Sequence, residues 1–134
     1  ITRGLEGKYS IYHSAAVGLI RGKAGLQEYT DEAVNDPTIK RVRERVTAVP
    51  DDSITEDQSH IEVELADGRK LVRFVEESLG NLRRPLTDRQ LEDKLRDQAV
   101  PALSSAQVDR LIELCWNIDK LEDVGELVKA TVRS

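Results

Sequence analysis

The apolar residues of the first part of the chain recur at helical spacing. Residues 10–21 form the clearest such stretch, and Ser10 stands where a helix-capping residue is expected. A second, short helix is expected after Thr30. A third should begin at Asp36-Pro37, because a capping residue followed by proline at the first helical position is typical of a helix start.

The last part of the chain is also predicted to be helical. Thr87 with Gln90, and Ser104 with Gln107, have the spacing of capping boxes, in which each side chain bonds to the other residue's backbone. Apolar residues at helical spacing follow both pairs. A final short helix is expected at about residues 124–132.

Residues 60–75 alternate between apolar and polar side chains on both sides of Asp67-Gly68. This pattern predicts a β-hairpin, and Asp-Gly is favoured in two-residue hairpin turns. A two-residue turn at this point would also fix the register of the strands. The expected cross-strand pairs are Ile61 with Phe74, Glu62 with Arg73, and Val63 with Val72.

The predicted fold class is α+β, with a small antiparallel sheet packed with N-terminal and C-terminal helices. A lone hairpin is only marginally stable, so at least one further strand is expected. Residues 45–50 are the best candidate for that strand. The length of the chain suits one domain, which would cover residues 1–134.

The composition restricts the classes of function. A net charge of −5 is poorly matched to nucleic acid, and the chain has neither a long apolar run nor a signal peptide. Cys115 is the only cysteine, which fits a cytoplasmic location, and its place on a helical apolar stripe predicts a core residue. The chain lacks methionine and begins at Ile1, so we interpret it as a segment of a longer protein.

No self-contained catalytic or metal motif is present in the sequence, since His13, His60 and Cys115 are isolated from other ligand types. The segment from Lys8 to His13 is the first candidate site. It brings a cation, hydroxyl groups and an imidazole to a helix N-terminus, where a carboxylate is stabilised and a proton could be transferred. The alternative interpretation is an ordinary capped helix.

The segment from Glu77 to Thr87 is the second candidate site. Arg83 and Arg84 in this connection could clamp a carboxylate, although an ordinary surface connection explains them equally well. His60 opens a strand and is interpreted as an edge residue.

These segments together resemble the C-terminal region of MmgE/PrpD-family proteins. The family includes 2-methylcitrate dehydratase, cis-aconitate decarboxylase and iminodisuccinate epimerase. The resemblance rests on the order and spacing of these pieces: Gly7-Lys8-Tyr9-Ser10 before an Ala-rich helix, Leu65 to Arg69, Gly80 to Thr87, Leu91 to Arg96, and Leu121 to Val124.

The resemblance implies a lid domain that completes an interdomain cleft with a missing N-terminal helical domain. It implies a homodimer, no metal or other cofactor, and proton removal next to a carboxylate of a small di- or tricarboxylate. Two positions depart from the family pattern, since His13 stands where members often have tyrosine and Leu82-Arg83-Arg84 stands where a less basic stretch is expected. The residues predicted to act are His13 in proton transfer, and Lys8, Ser10, Arg83 and Arg84 in substrate binding.

The whole protein is thus expected to be a hydro-lyase, decarboxylase or epimerase of carboxylic acids, and the chain alone is expected not to be a catalyst. The alternative is a stand-alone interaction domain without enzymatic activity. In that case the small-residue face of the first long helix, which includes Ala15 and Gly18, would bind a partner protein.

Overall fold

A computed structural model of the chain describes residues 1–99 and 101–132, which form two compact units. The first unit contains Ile1–Ala48 together with the described residues from Glu92 onward. The second contains Val49–Leu91. The prediction that residues 1–134 make one domain stays a prediction.

The N-terminal half of the first unit consists of short helices. They are α1 (Gly4–Lys8), α2 (Ile11–Arg21), a 3₁₀ helix (Leu26–Tyr29), α3 (Asp31–Asn35) and α4 (Pro37–Arg43). The predicted caps are confirmed, since Ser10 Oγ accepts the His13 N–H at 3.2 Å and Asp36 Oδ1 accepts the Thr38 N–H at 2.8 Å. Helix α2 ends at Gly22, whose φ of 70° suits a residue without a side chain.

Helices α2 and α4 pack against each other. Ala16 and Val17 meet Ile39, all three fully buried, and Val42 covers this cluster. Helix α1 was not expected from the sequence, because two of its five residues are glycines, which disfavour helix. Its Gly4 lies so close to the backbone of Tyr29 that an added Cβ would stand 2.0 Å from that carbonyl oxygen.

The predicted C-terminal helices are confirmed. They are α5 (Asp88–Ala99), α6 (Ser105–Trp116) and α7 (Gly125–Ala130), and an unpredicted 3₁₀ helix (Ile118–Lys120) lies between the last two. Both capping boxes form, with the Gln90 and Gln107 N–H groups each 3.3 Å from the hydroxyl of Thr87 or Ser104. The expectation that Cys115 lies in the core is wrong. Its side chain is exposed, because α6 turns Leu114 inward instead.

The second unit contains the predicted hairpin, with strands β1 (Ser59–Glu64) and β2 (Lys70–Val75). Its register differs from the expected one by one residue, pairing Ile61 with Arg73 and Val63 with Leu71. The turn is the cause. The Leu65 carbonyl accepts the Gly68 N–H at 2.9 Å, while the Leu65 N–H donates to the Arg69 carbonyl at 2.8 Å.

Three residues therefore lie in the loop rather than two. Gly68, with a φ of 83°, takes the left-handed position that closes a three-residue loop. One extra loop residue shifts every pair by one, so the expected pair of Glu62 with Arg73 is wrong. Glu62 stands opposite Val72, and His60 stands opposite Phe74.

The expected third strand at residues 45–50 is also wrong, since the sheet of the described residues has two strands. The N–H groups of Arg45 and Val46 bond back to the carbonyls of Val42 and Arg43, at 2.9 and 3.2 Å. Pro50 has no N–H to offer. Few backbone N–H groups of this stretch are therefore free to bond to a neighbouring strand. The α+β class itself is confirmed.

Candidate functional site

The His13 side chain is completely buried in the first unit. Its Nε2 lies 2.8 Å from the main-chain oxygen of Glu28, and its Nδ1 lies 3.5 Å from a guanidinium nitrogen of Arg43. A carbonyl only accepts and a guanidinium only donates. The arrangement therefore fits a neutral imidazole that carries its proton on Nε2.

The imidazole also packs against a ring and a glycine. Tyr29 meets it edge-on, with ring centroids 5.5 Å apart, and the Tyr29 hydroxyl bonds to Ser14 Oγ at 2.9 Å. Gly7 leaves the space that the ring needs, because a Cβ there would stand 3.0 Å from His13 Cδ2 and 2.7 Å from Val34 Cγ2. His13 thus joins α1, α2 and the 3₁₀ helix that contains Glu28.

Glu28 is a buried carboxylate that sequence reasoning missed. Its Oε2 accepts the Gly25 N–H at 2.9 Å, and its Oε1 lies 3.6 Å from Arg21 and 4.0 Å from Lys23. These contacts offset the cost of burying a charge. The Gly25–Glu28 contact is local and has the three-residue spacing of a capping box, but that spacing does not predict that the side chain is buried.

The surface next to His13 carries free polar groups. Lys8 and Tyr12 are exposed, Tyr9 keeps 86% of its surface, and none of their side chains has a polar partner among the described residues. Ser10 is nearly buried, and its hydroxyl is occupied as the cap of α2. Of the residues predicted in this segment, Lys8 is thus open to solvent while Ser10 and His13 are engaged in the fold.

The second unit contains an open groove with a volume of about 510 Å³. Strand β2 and the loop after it line this groove, with Arg73, Phe74, Val75, Glu76, Glu77, Arg83 and Arg84. Both arginines predicted from the sequence, Arg83 and Arg84, therefore border one groove, together with a third arginine that the sequence did not single out.

Hydrogen bonds hold the arginine loop in shape. The Asn81 side-chain oxygen accepts the N–H groups of Arg83 and Arg84, at 3.0 and 2.7 Å. The Gly80 N–H donates to the Arg84 carbonyl at 2.8 Å, with a Gly80 φ of 99° that favours glycine. The Glu77 carboxylate in turn binds Asn81 Nδ2 at 2.6 Å and the Arg83 guanidinium at 2.9 Å.

The candidate residues therefore fall into two groups. Lys8, Ser10 and His13 belong to the first unit, whereas Arg83 and Arg84 belong to the second. Within the described part of the chain, no three His, Cys, Asp or Glu side chains are grouped as a metal would require. None of the helices described is long and apolar enough to cross a bilayer.

Comparison with known proteins relates most of the chain to one family. Residues 1–118 match the MmgE/PrpD C-terminal domain. Cis-aconitate decarboxylase of Homo sapiens is 27% identical over 126 residues, which cover 91% of this chain and 26% of that protein. Cis-aconitate decarboxylase of Mus musculus is 25% identical over 128 residues, which cover 92% of the chain and 26% of that protein.

The match to the family extends from α1 through the hairpin to α6, so it includes both groups of candidate residues. The chain spans about a quarter of the length of the two decarboxylases. Because the family match covers well over half of the residues, the chain belongs to the MmgE/PrpD family and carries its C-terminal domain.

Proposed function

We propose that the whole protein is a lyase or isomerase that acts on a small di- or tricarboxylate, with this chain as its C-terminal domain. The main support is the family match over residues 1–118, together with two relatives that are cis-aconitate decarboxylases. Cis-aconitate is therefore the first substrate to test. A citrate-like acid, as in 2-methylcitrate dehydration, is the second.

The proposed chemistry begins with proton removal from a carbon next to a carboxylate. Loss of water, loss of CO₂ with return of protons to carbon, or reprotonation of the same carbon would follow. A carboxylate on that carbon helps to hold the negative charge that develops, and a nearby cation lowers the energy of that state further. Lys8 is suited to this role, since its ammonium is exposed and unpaired among the described residues. Arg83 and Arg84 are suited to clamp a carboxylate in a bidentate manner.

His13 is proposed as the residue that transfers the proton. In the chain alone its ring is buried, and its two nitrogens face Glu28 and Arg43. The proposal therefore requires that the ring become accessible in the whole protein. Ser10, which caps α2 through the His13 N–H, would then position the imidazole rather than bind substrate with its occupied hydroxyl.

The chain alone is proposed to be inactive, because the residues that would complete the cleft lie in the rest of the protein. That remainder is proposed to include an N-terminal helical domain, and the whole protein is proposed to be a cytoplasmic homodimer. The chain's share of about a quarter of its relatives' length supports this division.

The test compares the full-length protein with the isolated chain. Each is incubated with cis-aconitate and with 2-methylcitrate, and loss of substrate and release of CO₂ are measured. We expect turnover of one acid by the full-length protein and none by the chain. Absence of turnover of every di- and tricarboxylate tried with folded full-length protein would refute the proposal, and turnover by the chain alone would refute its lid role.

One observation supports the alternative of an interaction domain. Helix α2 exposes apolar side chains on the face opposite its buried residues, with Ile11 and Leu19 on either side of Ala15 and Gly18. A partner surface would cover such a face. The same full-length assay decides the matter, because an interaction domain has no turnover to lose.

A further inference from the structure

The groove of the second unit contains one arginine whose charge is not used by the fold. The Arg73 side chain, on β2, has neither an ion pair nor a hydrogen bond among the described residues. Arg83 and Arg84 differ from it, since Glu77 holds the first through its carboxylate at 2.9 Å and the second through its main-chain oxygen at 3.3 Å. Arg73 is thus available to a ligand.

The Arg83–Arg84 side of the groove is fixed before any ligand arrives. Asn81 binds both backbone N–H groups of this pair, and the Glu77 side chain beneath it is only 16% exposed. The backbone that carries both arginines is therefore held in place, while the Arg83 side chain itself remains 85% exposed. The groove has two cations on this ordered loop and an uncommitted cation on the strand.

The charges of the groove define what it would accept. Three guanidinium groups stand against the carboxylates of Glu76 and Glu77, and Arg83 already neutralises Glu77. Planar guanidinium groups match carboxylates in geometry.

We propose that this groove binds a small polycarboxylate, with one carboxylate on the Arg83–Arg84 side and a second on Arg73. Arg73 then selects ligands with at least two carboxylates, while Glu76 weakens the binding of every anion at the site. The choice of ligand class rests on the proposed function. The groove itself is defined by the residues of the second unit alone.

The experiment titrates the ¹⁵N-labelled chain with citrate, acetate and inorganic phosphate at low salt and follows the amide resonances by NMR. We expect citrate to shift the amides of residues 73–84. Acetate should bind at least about tenfold more weakly, because one charged pair is missing. If phosphate binds as tightly as citrate, the groove is a general anion site without preference for polycarboxylates, and the proposal is overturned.

Variants assign the role of Arg73. Arg73→Gln should weaken citrate binding about tenfold and leave acetate binding unchanged, whereas Arg73→Lys should restore part of the affinity. Arg69→Gln is the matched control, since Arg69 is paired with Asp67 at 2.7 Å in the turn and does not line the groove. Glu76→Gln should tighten citrate binding. Equal effects of the Arg73 and Arg69 variants would overturn the assignment.

The outcome for the groove is separate from that for the proposed function. If a full-length protein without turnover binds citrate and this binding depends on Arg73, the proposed enzymatic function is refuted and the proposed binding groove is supported. If the full-length protein turns over a substrate and Arg73→Gln leaves its KM unchanged, the proposed binding groove is refuted and the proposed enzymatic function is supported. A rise of about tenfold in KM with an unchanged kcat would support both.

Discussion

The His13 imidazole bonds through Nε2 to the main-chain oxygen of Glu28, 2.8 Å away, and so joins α2 to the 3₁₀ helix. Replacing the ring with alanine would leave that buried carbonyl without its donor and create a cavity. We expect His13→Ala to lower the free energy of unfolding by about 3 kcal/mol. Urea denaturation of the chain measures this loss.

His13→Gln separates the structural role from the proposed chemical one. The glutamine amide can donate to the Glu28 oxygen but cannot transfer a proton, so we expect a loss of only about 1 kcal/mol in the free energy of unfolding. The full-length enzyme should nevertheless lose its turnover, because the proton carrier is gone. A fully active His13→Gln enzyme would remove His13 from the mechanism and leave it as a structural residue.

Gly7 and Gly18 are expected to respond to alanine in opposite directions. A Cβ at Gly7 would stand 2.7 Å from Val34 Cγ2, so Gly7→Ala should destabilise the chain by about 1–3 kcal/mol. A Cβ at Gly18 meets nothing within 4 Å, so Gly18→Ala should stabilise α2 by about 0.5–1 kcal/mol. Thermal unfolding of the two variants side by side checks both signs, and a stabilising Gly7→Ala would contradict the close packing of α1.

Acid should weaken the hairpin turn through Asp67. The backbone N–H of Arg69, at 3.0 Å, and then its guanidinium, at 2.7 Å, lower the pKa of the Asp67 carboxyl. Because the folded pKa is the lower one, the stabilising contribution is complete above the unfolded pKa of about 4. It is lost as the pH falls through the folded value.

The measurement is a ¹³C NMR titration of the Asp67 carboxyl in the chain and in the Arg69→Gln variant. We expect the midpoint to rise in the variant without reaching the ordinary value, since the backbone N–H still donates. A midpoint in the unaltered chain at or above the ordinary value for aspartate would show that the turn does not bind the ionised form.

The isolated chain is expected to associate with itself through α2. Ile11 and Leu19 remain 64% and 54% exposed on one face of this helix. Association with another molecule would bury this apolar surface. Leu19→Glu should reduce the association, whereas Val49→Glu, at a similarly exposed apolar residue of the second unit, should have little effect. Light scattering over a range of concentrations decides this, and a clean monomer of the unaltered chain at high concentration would contradict it.

The features that sequence predicted well are the local ones. Ser10, Asp36 and Thr87 each bond to a backbone N–H within three residues, so the information for a helix start lies in a short stretch of sequence. The hairpin register required a finer distinction. Asp-Gly is compatible with two-residue and three-residue loops, and only the position of Gly68 in the finished turn separates them.

The burial of His13 could not be predicted from its neighbours in sequence. Its cover comes from Gly7, Glu28 and Arg43, which lie on three other elements. The sequence placed the imidazole on α2 correctly but assigned it to an open site. Arg73 was not predicted as a candidate site residue for a related reason. In the expected register it lies opposite Glu62, which would neutralise its charge, whereas the observed register places Val72 opposite Glu62.

The two-part make-up of the first unit has a consequence for how the chain acquires its shape. Lys23 and Asp97, whose charged groups lie 3.4 Å apart, are separated by the whole hairpin unit in the order of synthesis. On the ribosome the hairpin can close as soon as it emerges, because its contacts are near in sequence. The contacts between α2 and α4 also lie within the first 48 residues, so these helices can pack early. A contact such as that of Lys23 with Asp97 must wait for residues synthesised afterwards, so slow translation of the last third of the chain would leave these two side chains exposed for longer.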